Sequence, residues 1–288
     1  MVKLTVIMST YNADEFLDEA LSSLTKQTFR DFVVKIVDDN STDNTVSIIN
    51  NWTKKDKRIK LVKVNNKNRG LTQNLNELIN ESTSEYIARM DSDDISLPER
   101  FEKQIAYLEN NKQVSIVGTW AFNINKKGVV NSKRYVPTEH DDIFRMIGKA
   151  NPIIHPTVMF RLNDIKKIGG YDGTYRVAQD YDLWFRSMAN GLLLANIPSF
   201  LFKYRVLESH VSKRRMKHRI LDAKIRWKGT KALKFPLRKR LFYTSIPIIL
   251  GLMPDFLKKL ALKFSKVLDP RQRLGAKEEQ VLKSESVN

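Results

Sequence analysis

The chain has 288 residues, 42% apolar and 28% charged, an ordinary globular composition with room for one large domain and an appendage or for two small domains. It has no cysteine and four histidines, which excludes disulfides, thiolate-bound zinc and a cysteine nucleophile and disfavours a multi-histidine metal site. The net charge of +18 is local: residues 203–277 hold 22 Lys/Arg against four acids, while the rest has 28 of each sign, so a neutral body carries a basic tail.

The opening stretch MVKLTVIMSTYN is too short for a secretion signal, and no run of about twenty uninterrupted apolar residues offers a membrane span. The expectation is a cytoplasmic protein. Residues 4–8 (LTVIM) form a continuous apolar run suited to a buried strand, and Phe16, Leu17, Ala20, Leu21 and Leu24 then recur at helical spacing. The unit repeats: strand 32–37 and helix 43–52, strand 59–64 and a helix marked by Leu71, Leu75, Leu78 and Ile79, then strand 86–90 and a helix marked by Phe101, Ile105 and Leu108. Four β-α units in series predict an α/β fold with a Rossmann-like, mostly parallel, doubly wound sheet and helices on both faces. Residues 114–206 read as mixed, with strands at 114–120, 157–160, 192–197 and 200–206 and helices at 141–147 and 181–189.

A doubly wound sheet binds its ligand beyond the carboxyl ends of its strands. Those ends carry residues 9–12 (STYN), 38–41 (DDNS), 65–70 (NNKNRG) and 91–94 (DSDD), which together would line one rim. Asp91, Asp93 and Asp94 fall within four positions, so a counter-charge, a shared proton or a metal ion is expected among them. Asp91 and Asp93 are two apart, which sets both side chains on one side of an extended chain and suits a hard divalent cation, Mn2+ or Mg2+. The alternative is a plain turn leading into a helix near Leu97, which Ser96 can cap alone. At 38–43, Asp39 is placed to accept from a base N–H or a ribose hydroxyl, while Ser41 or Thr42 caps the next helix and Asp43 favours its dipole.

The blocks "VIMSTYNADEFLDEALSSLTKQTF", "KIVDDNSTDNT", "NRGLTQNLNELI", "ARMDSDDISLPERFEKQ", "NPIIHPTVMFR" and "VAQDYDLWFR", in this order, resemble a family 2 glycosyltransferase of the GT-A fold, of the bacterial surface-polysaccharide type. The resemblance covers residues 3–206. It implies a catalytic domain over 1–206, with a nucleotide-binding half at 1–110 and an acceptor-binding half at 111–206, followed by a basic helical C-terminal extension at 207–288. It further implies inverting transfer of one sugar from a nucleotide-diphosphate sugar, usually a UDP-sugar, with Mn2+ or Mg2+, to a glycan or lipid-linked glycan acceptor.

Carried over by position, Thr10, Tyr11 and Asn12 would flank the nucleotide, Asp39 would bind the base and Arg69 would lie near the uracil or ribose. Asp91, with Ser92 beside it, would reach the ribose or a metal-bound water, and Asp93 with Asp91 would hold the metal. Asp180 would be the base that takes the acceptor proton, with Gln179 where the family usually has Glu. The competing reading makes Asp180 an N-cap of the helix carrying Leu183, Trp184 and Phe185, with Asp182 structural and both aromatics in the core. His155 is either an acceptor-side contact or a satisfied structural histidine. Leu207 stands where many members have a histidine; His210 is three residues further on, and Arg205 or Lys213 could supply charge instead. The processive Gln-x-x-Arg-Trp motif is missing, since Arg226-Trp227 has Ala223 in the glutamine position.

The tail at 213–240 is basic, and the apolar stretch 241–257 is broken by Pro247, Pro254 and Asp255, which fits a segment lying at the interface of an anionic membrane. A solvated helix packed on the catalytic domain is the alternative. Nucleic acid is disfavoured as partner because no recognition motif accompanies the charge. The rival functions are a nucleotidyltransferase using the same carboxylates and a non-catalytic docking protein.

Overall fold

The computed structural model describes residues 2–207, 216–254 and Leu274. The chain opens with β1 (Leu4–Thr10), α1 (Leu17–Thr25), β2 (Phe32–Asp38), α2 (Thr45–Lys55), β3 (Ile59–Val64), α3 (Leu71–Asn80), β4 (Tyr86–Arg89), β5 (Ile95–Ser96) and α4 (Arg100–Asn110). It continues through β6 (Val114–Ile124), β7 (Val130–Arg134), α5 (His140–Ile147), β8 (Met159–Arg161), α6 (Leu162–Lys167), α7 (Gln179–Ala189) and β9 (Leu193–Arg205). Two further helices, α8 (Met216–Ala232) and α9 (Leu237–Leu252), lie in the basic tail.

The strands make one sheet in the order β3-β2-β1-β4-β8-β6-β9-β5, with β7 added to β6. β3, β2, β1 and β4 are all parallel, as the repeated β-α units predict. Beyond β4 the sheet is mixed, because β8 runs antiparallel to both β4 and β6 while β9 is parallel to β6. The two strands expected at 192–197 and 200–206 are one strand whose register passes from Ile197 directly to Phe200. Pro198 has no N–H to donate, so it and Ser199 are bulged out and the pairing resumes.

Alternation along the strands builds a core on each face. Leu4, Val6, Met8, Val34 and Ile36 pack with Leu21, Ile49, Phe101 and Ile105 of α1, α2 and α4. Ile7, Val37 and Ile87 face the other way, onto Leu75, Leu78, Ile143, Ile165, Leu183 and Trp184 of α3, α5, α6 and α7. This period of two is what a sheet buried on both sides requires. It also fixes the strand ends, so the loops after β1, β2, β3 and β4 emerge along one edge.

Two expected caps are not formed. Ser96 lies in β5, where its N–H donates to Ser23 Oγ at 3.1 Å and its Oγ accepts from the Gln27 amide at 3.1 Å; α4 starts only at Arg100. Ser41 donates to Asp38 and accepts from the Asn12 N–H at 2.9 Å, so the start of α2 is served instead by the Asp43 carboxylate, which accepts from Thr45 N–H at 3.0 Å.

The helices of the tail pack on the domain. Buried Arg226 of α8 donates to the carbonyls of Gly148 and Lys149 at 2.7 and 2.8 Å and pairs with Asp222. Gly229 lies so close to α7 that a Cβ there would stand 2.2 Å from the Phe185 ring, and Gly148 receives the Tyr243 ring of α9 in the same way. None of the described helices is long and apolar enough to cross a membrane. His210 and Lys213, with the segments 208–215 and 255–273, lie outside the described residues.

Candidate active site

Two cavities open at the strand-end edge. The first, about 440 Å³, is lined by Tyr11, Asn12, Phe16, Arg89, Asp91, Ser92, Asp93 and Leu207 among others. The second, about 510 Å³, is lined by His155, Arg176, Gln179 and Asp180. They meet at Leu71, Arg89, Asp91 and Tyr204, which line both.

The rim of the first cavity is held from below by buried polar groups. Asn12 takes a left-handed φ of +47°, which asparagine tolerates, and its side chain accepts from the Thr42 N–H at 2.9 Å. Thr10 is fully buried and donates to Asp38 at 2.9 Å, and Asp38 also accepts from Ser41. Asp39 is 2% exposed and accepts from Arg69 N–H, Gly70 N–H and the Asn65 amide, each at 2.8 Å. Burial works against the Asp39 charge, but hydrogen bonds from Arg69 N–H, Asn65, Asn74 and Gly70 N–H hold its carboxyl below the usual carboxylate range. Thr10, Asp39 and Arg69 therefore build the wall without lining the cavity, and the Arg69 guanidinium pairs with Glu77. Tyr11, Asn12, Asp91, Ser92 and Asp93 do line it.

The acidic loop after β4 brings one carboxylate oxygen each of Asp91, Asp93 and Asp94 within 4.8 Å of one another. Arg89 pairs with one carboxylate and Arg205 fixes the loop backbone. The Arg89 guanidinium pairs with Asp91. Arg205, at the end of β9, donates its N–H to Asp94 at 2.7 Å and its Nε to the Asp93 carbonyl at 2.7 Å, and its Nη1 holds the carbonyls of Asn125 and Lys126. The Arg205 guanidinium also pairs with Glu19, and the residue lines the first cavity beside Leu207. Burial, then repulsion by Asp91 and Asp93, pushes the Asp94 carboxyl well above its ordinary value. Its Oδ2 is buried without a hydrogen-bond partner. An all-oxygen set of three carboxylates with an unsatisfied oxygen fits a hard divalent cation. Asp91 and Asp93 would hold it, with Asp94 beneath.

The second cavity is built around Asp180. It lies in the first turn of α7, and the N-cap position belongs to Ala178, whose φ of +56° is left-handed and which offers no side-chain cap, so Asp180 does not cap the helix. Its Oδ2 accepts from the Asn151 amide at 2.7 Å. Burial raises the Asp180 carboxyl above its ordinary value, with the Asn151 hydrogen bond, the Tyr181 N–H and the charge of Arg89 opposing it. Such a carboxylate is a stronger base than a free one. Asp182 is structural, buried and paired with Arg186, and Trp184 and Phe185 are in the core. His155 lines the cavity, and its Nε2 shares a 2.8 Å hydrogen bond with the Tyr171 hydroxyl. Burial, with the nearby Arg89 charge, pushes His155 well below its ordinary value, so its imidazole is neutral.

Arg89, Asn151 and Tyr204 are the residues at the two cavities that motif reading missed. Arg89 had a signal: it precedes Asp91 by two on a strand, so both side chains leave on one side.

The family model described as Glycosyl transferase family 2 matches residues 5–169. Over 238 residues the chain is 33% identical to the UDP-Gal:alpha-D-GlcNAc-diphosphoundecaprenol beta-1,3-galactosyltransferase of Escherichia coli, covering 78% of this chain and 82% of that one. Among solved structures it resembles S. aureus TarS 1-349 in complex with UDP-GlcNAc, with TM-score 0.64 and 19% identity over 87% of this chain and 71% of that one. It also resembles the mannosyltransferase PcManGT of Pyrobaculum calidifontis in complex with GDP-Man and Mn2+, with TM-score 0.57 and 18% identity over 99% and 86% of the two chains. These last two likenesses carry the GT-A fold. With its parallel strand-end rim, its acidic loop and a family match across more than half its length, the chain belongs to glycosyltransferase family 2 and is a glycosyltransferase.

Proposed function

We propose that the protein transfers one sugar at a time, with inversion, from a UDP-sugar to a hydroxyl of a glycan or lipid-linked glycan precursor, in cell-surface polysaccharide synthesis at the inner face of the membrane. The observation that carries this reading is the meeting of two cavities at Arg89 and Asp91, one holding the acidic loop and the other Asp180. The similarity to a galactosyltransferase named for a UDP-Gal donor and a diphosphoundecaprenol acceptor supports the choice of donor and acceptor class.

In this reading the first cavity takes the nucleotide diphosphate, with Tyr11 and Asn12 against the nucleoside and Asp91 and Ser92 toward the ribose. Asp39 and Arg69 fix the loop that receives the base. A divalent cation held by Asp91 and Asp93 would neutralise charge on the diphosphate leaving group. The acceptor hydroxyl sits in the second cavity, hydrogen-bonded to Asp180. Its oxygen forms a bond to the anomeric carbon as the bond to the diphosphate breaks, and its proton passes to Asp180. Attack from the face opposite the leaving group inverts the anomeric centre. Asn151 holds the carboxylate in place, and Arg89 keeps the positive charge that separates it from Asp91.

The test is calorimetric binding of UDP, dTDP and GDP with Mn2+, repeated with chelator and with Asp93→Ala, followed by transfer assays with UDP-sugars and analysis of the product anomer. UDP binding that is lost in both controls, and an inverted product, are expected. Binding indifferent to metal and to Asp93 would sink the role given to the acidic loop, and a retained anomer would sink the role given to Asp180.

A further inference from the structure

Helices that cover a domain normally turn their apolar side inward, and α9 keeps much of its own outside. Leu237, Leu241, Phe242, Ile249 and Leu252 are each more than half exposed. At about 100° per residue they fall in one arc of roughly 140°, while buried Tyr243 and Pro247 lie on the opposite side. On α8, Met216, Ile220 and Trp227 are also exposed, at spacings that share a helix face. The two stripes adjoin, since Gly251 lies against Met216 and the Arg240 guanidinium stacks 4.1 Å from the Trp227 ring. Scattered exposed apolar residues need no explanation, but a continuous stripe does.

The charge around the stripe is of one sign. Residues 216–254 contain ten Lys/Arg against one acid, Asp222, and that acid is engaged by Arg226. We infer that the exposed α8–α9 face is a docking surface for an anionic lipid bilayer, its apolar side chains entering the headgroup boundary and its lysines and arginines meeting the lipid phosphates. A second copy of the chain would set basic rim against basic rim. Nucleic acid would leave the apolar stripe without a partner.

The placement gives the contact a purpose that rests on the proposed acceptor. α8 lies directly on α7 through Gly229 and Phe185. Arg226 holds the carbonyls of Gly148 and Lys149, just before Asn151, which holds Asp180. The bilayer face is therefore one helix layer from the acceptor cavity, where a membrane-embedded acceptor has its sugar end.

The experiment is co-sedimentation of the full chain with phosphatidylcholine vesicles and with vesicles of phosphatidylcholine and phosphatidylglycerol. At least about tenfold preference for the anionic vesicles is expected, falling as salt is raised. Leu241→Glu combined with Ile249→Glu should reduce binding about tenfold, as each places a charge in the stripe. Arg238→Gln with Lys239→Gln, both exposed, should weaken it less and serves as the second variant. UDP binding measured on the same samples reports folding of the catalytic part. Equal binding to both vesicle types, no binding to either, variants that bind like the parent, or a concentration-dependent dimer abolished by the same variants would each overturn the inference. Vesicle binding as expected with no UDP binding would uphold the surface while sinking the donor assignment.

Discussion

The acidic loop and the Asp180 carboxylate adjoin at Arg89, which lines both cavities, and they differ in how many carboxylates share the site. At the loop, three carboxylates are crowded together, Arg89 pairs with Asp91, and burial with the remaining like charge pushes the Asp94 carboxyl well above its ordinary value. At Asp180, one carboxylate is partly desolvated and held by the neutral amide of Asn151. Crowded carboxylates with too little counter-charge favour a bound cation, whereas a single desolvated carboxylate favours a proton. Under the proposed function, the contrast assigns cation binding to the crowded loop and proton acceptance to the lone carboxylate.

Asp180→Asn should have the largest effect, since it leaves the hydrogen-bonding shape and removes the proposed base. We expect kcat to fall about 10³-fold, worth roughly 4 kcal/mol, with UDP affinity unchanged. The pH profile carries the sign. Because burial raises this carboxyl, activity should fade as pH drops through a point above the ordinary aspartate value of 3.8. By linkage the ionised, desolvated carboxylate lowers stability at pH above its raised pKa, so Asp180→Asn should not reduce Tm at neutral pH. A variant that loses stability rather than turnover would identify Asp180 as structural.

Arg205→Ala comes next. It removes the guanidinium that holds the carbonyls of Asp93, Asn125 and Lys126, keeps the backbone N–H that serves Asp94, and leaves those carbonyls unpaired, at a cost of about 3 kcal/mol in denaturant unfolding. Arg205→Lys should recover little, because an ammonium cannot span that set of carbonyls. Asp93→Ala should then weaken UDP binding about 30-fold in the presence of Mn2+ and leave the metal-free affinity unchanged, roughly 2 kcal/mol read by calorimetry. If the metal-free affinity falls equally, Asp93 supports the loop and does not hold a cation.

The strands and helices of the first hundred residues were legible because period-two and period-3.6 patterns are local properties. The rim was legible for the same reason, once the strands were placed. The support of the acidic loop from β9 was not, because the Arg205 N–H reaches Asp94 across more than a hundred residues and no spacing rule connects them. Caps at Ser41 and Ser96 failed for a related reason: each hydroxyl had a long-range partner, Asn12 for the first and Gln27 for the second, that local propensity does not see. Burial of Thr10 and Asp39 is likewise a property of the loops that close over them.

Thr10 gives the smallest effect and the sharpest question about the rim. A residue that flanks the nucleotide by contact would lose affinity when its hydroxyl is removed. The Thr10 hydroxyl instead donates to Asp38, which also receives Ser41, and Ser41 in turn receives the Asn12 N–H at the cavity lip. Thr10→Val keeps the shape and deletes one buried hydrogen bond, so it should cost about 1 kcal/mol of stability. The UDP affinity should stay within about twofold, since Asp38 keeps its bonds from Ser41 and the lip remains in place. A large affinity loss at unchanged stability would put Thr10 in contact with the nucleotide and require the loop after β1 to open on binding.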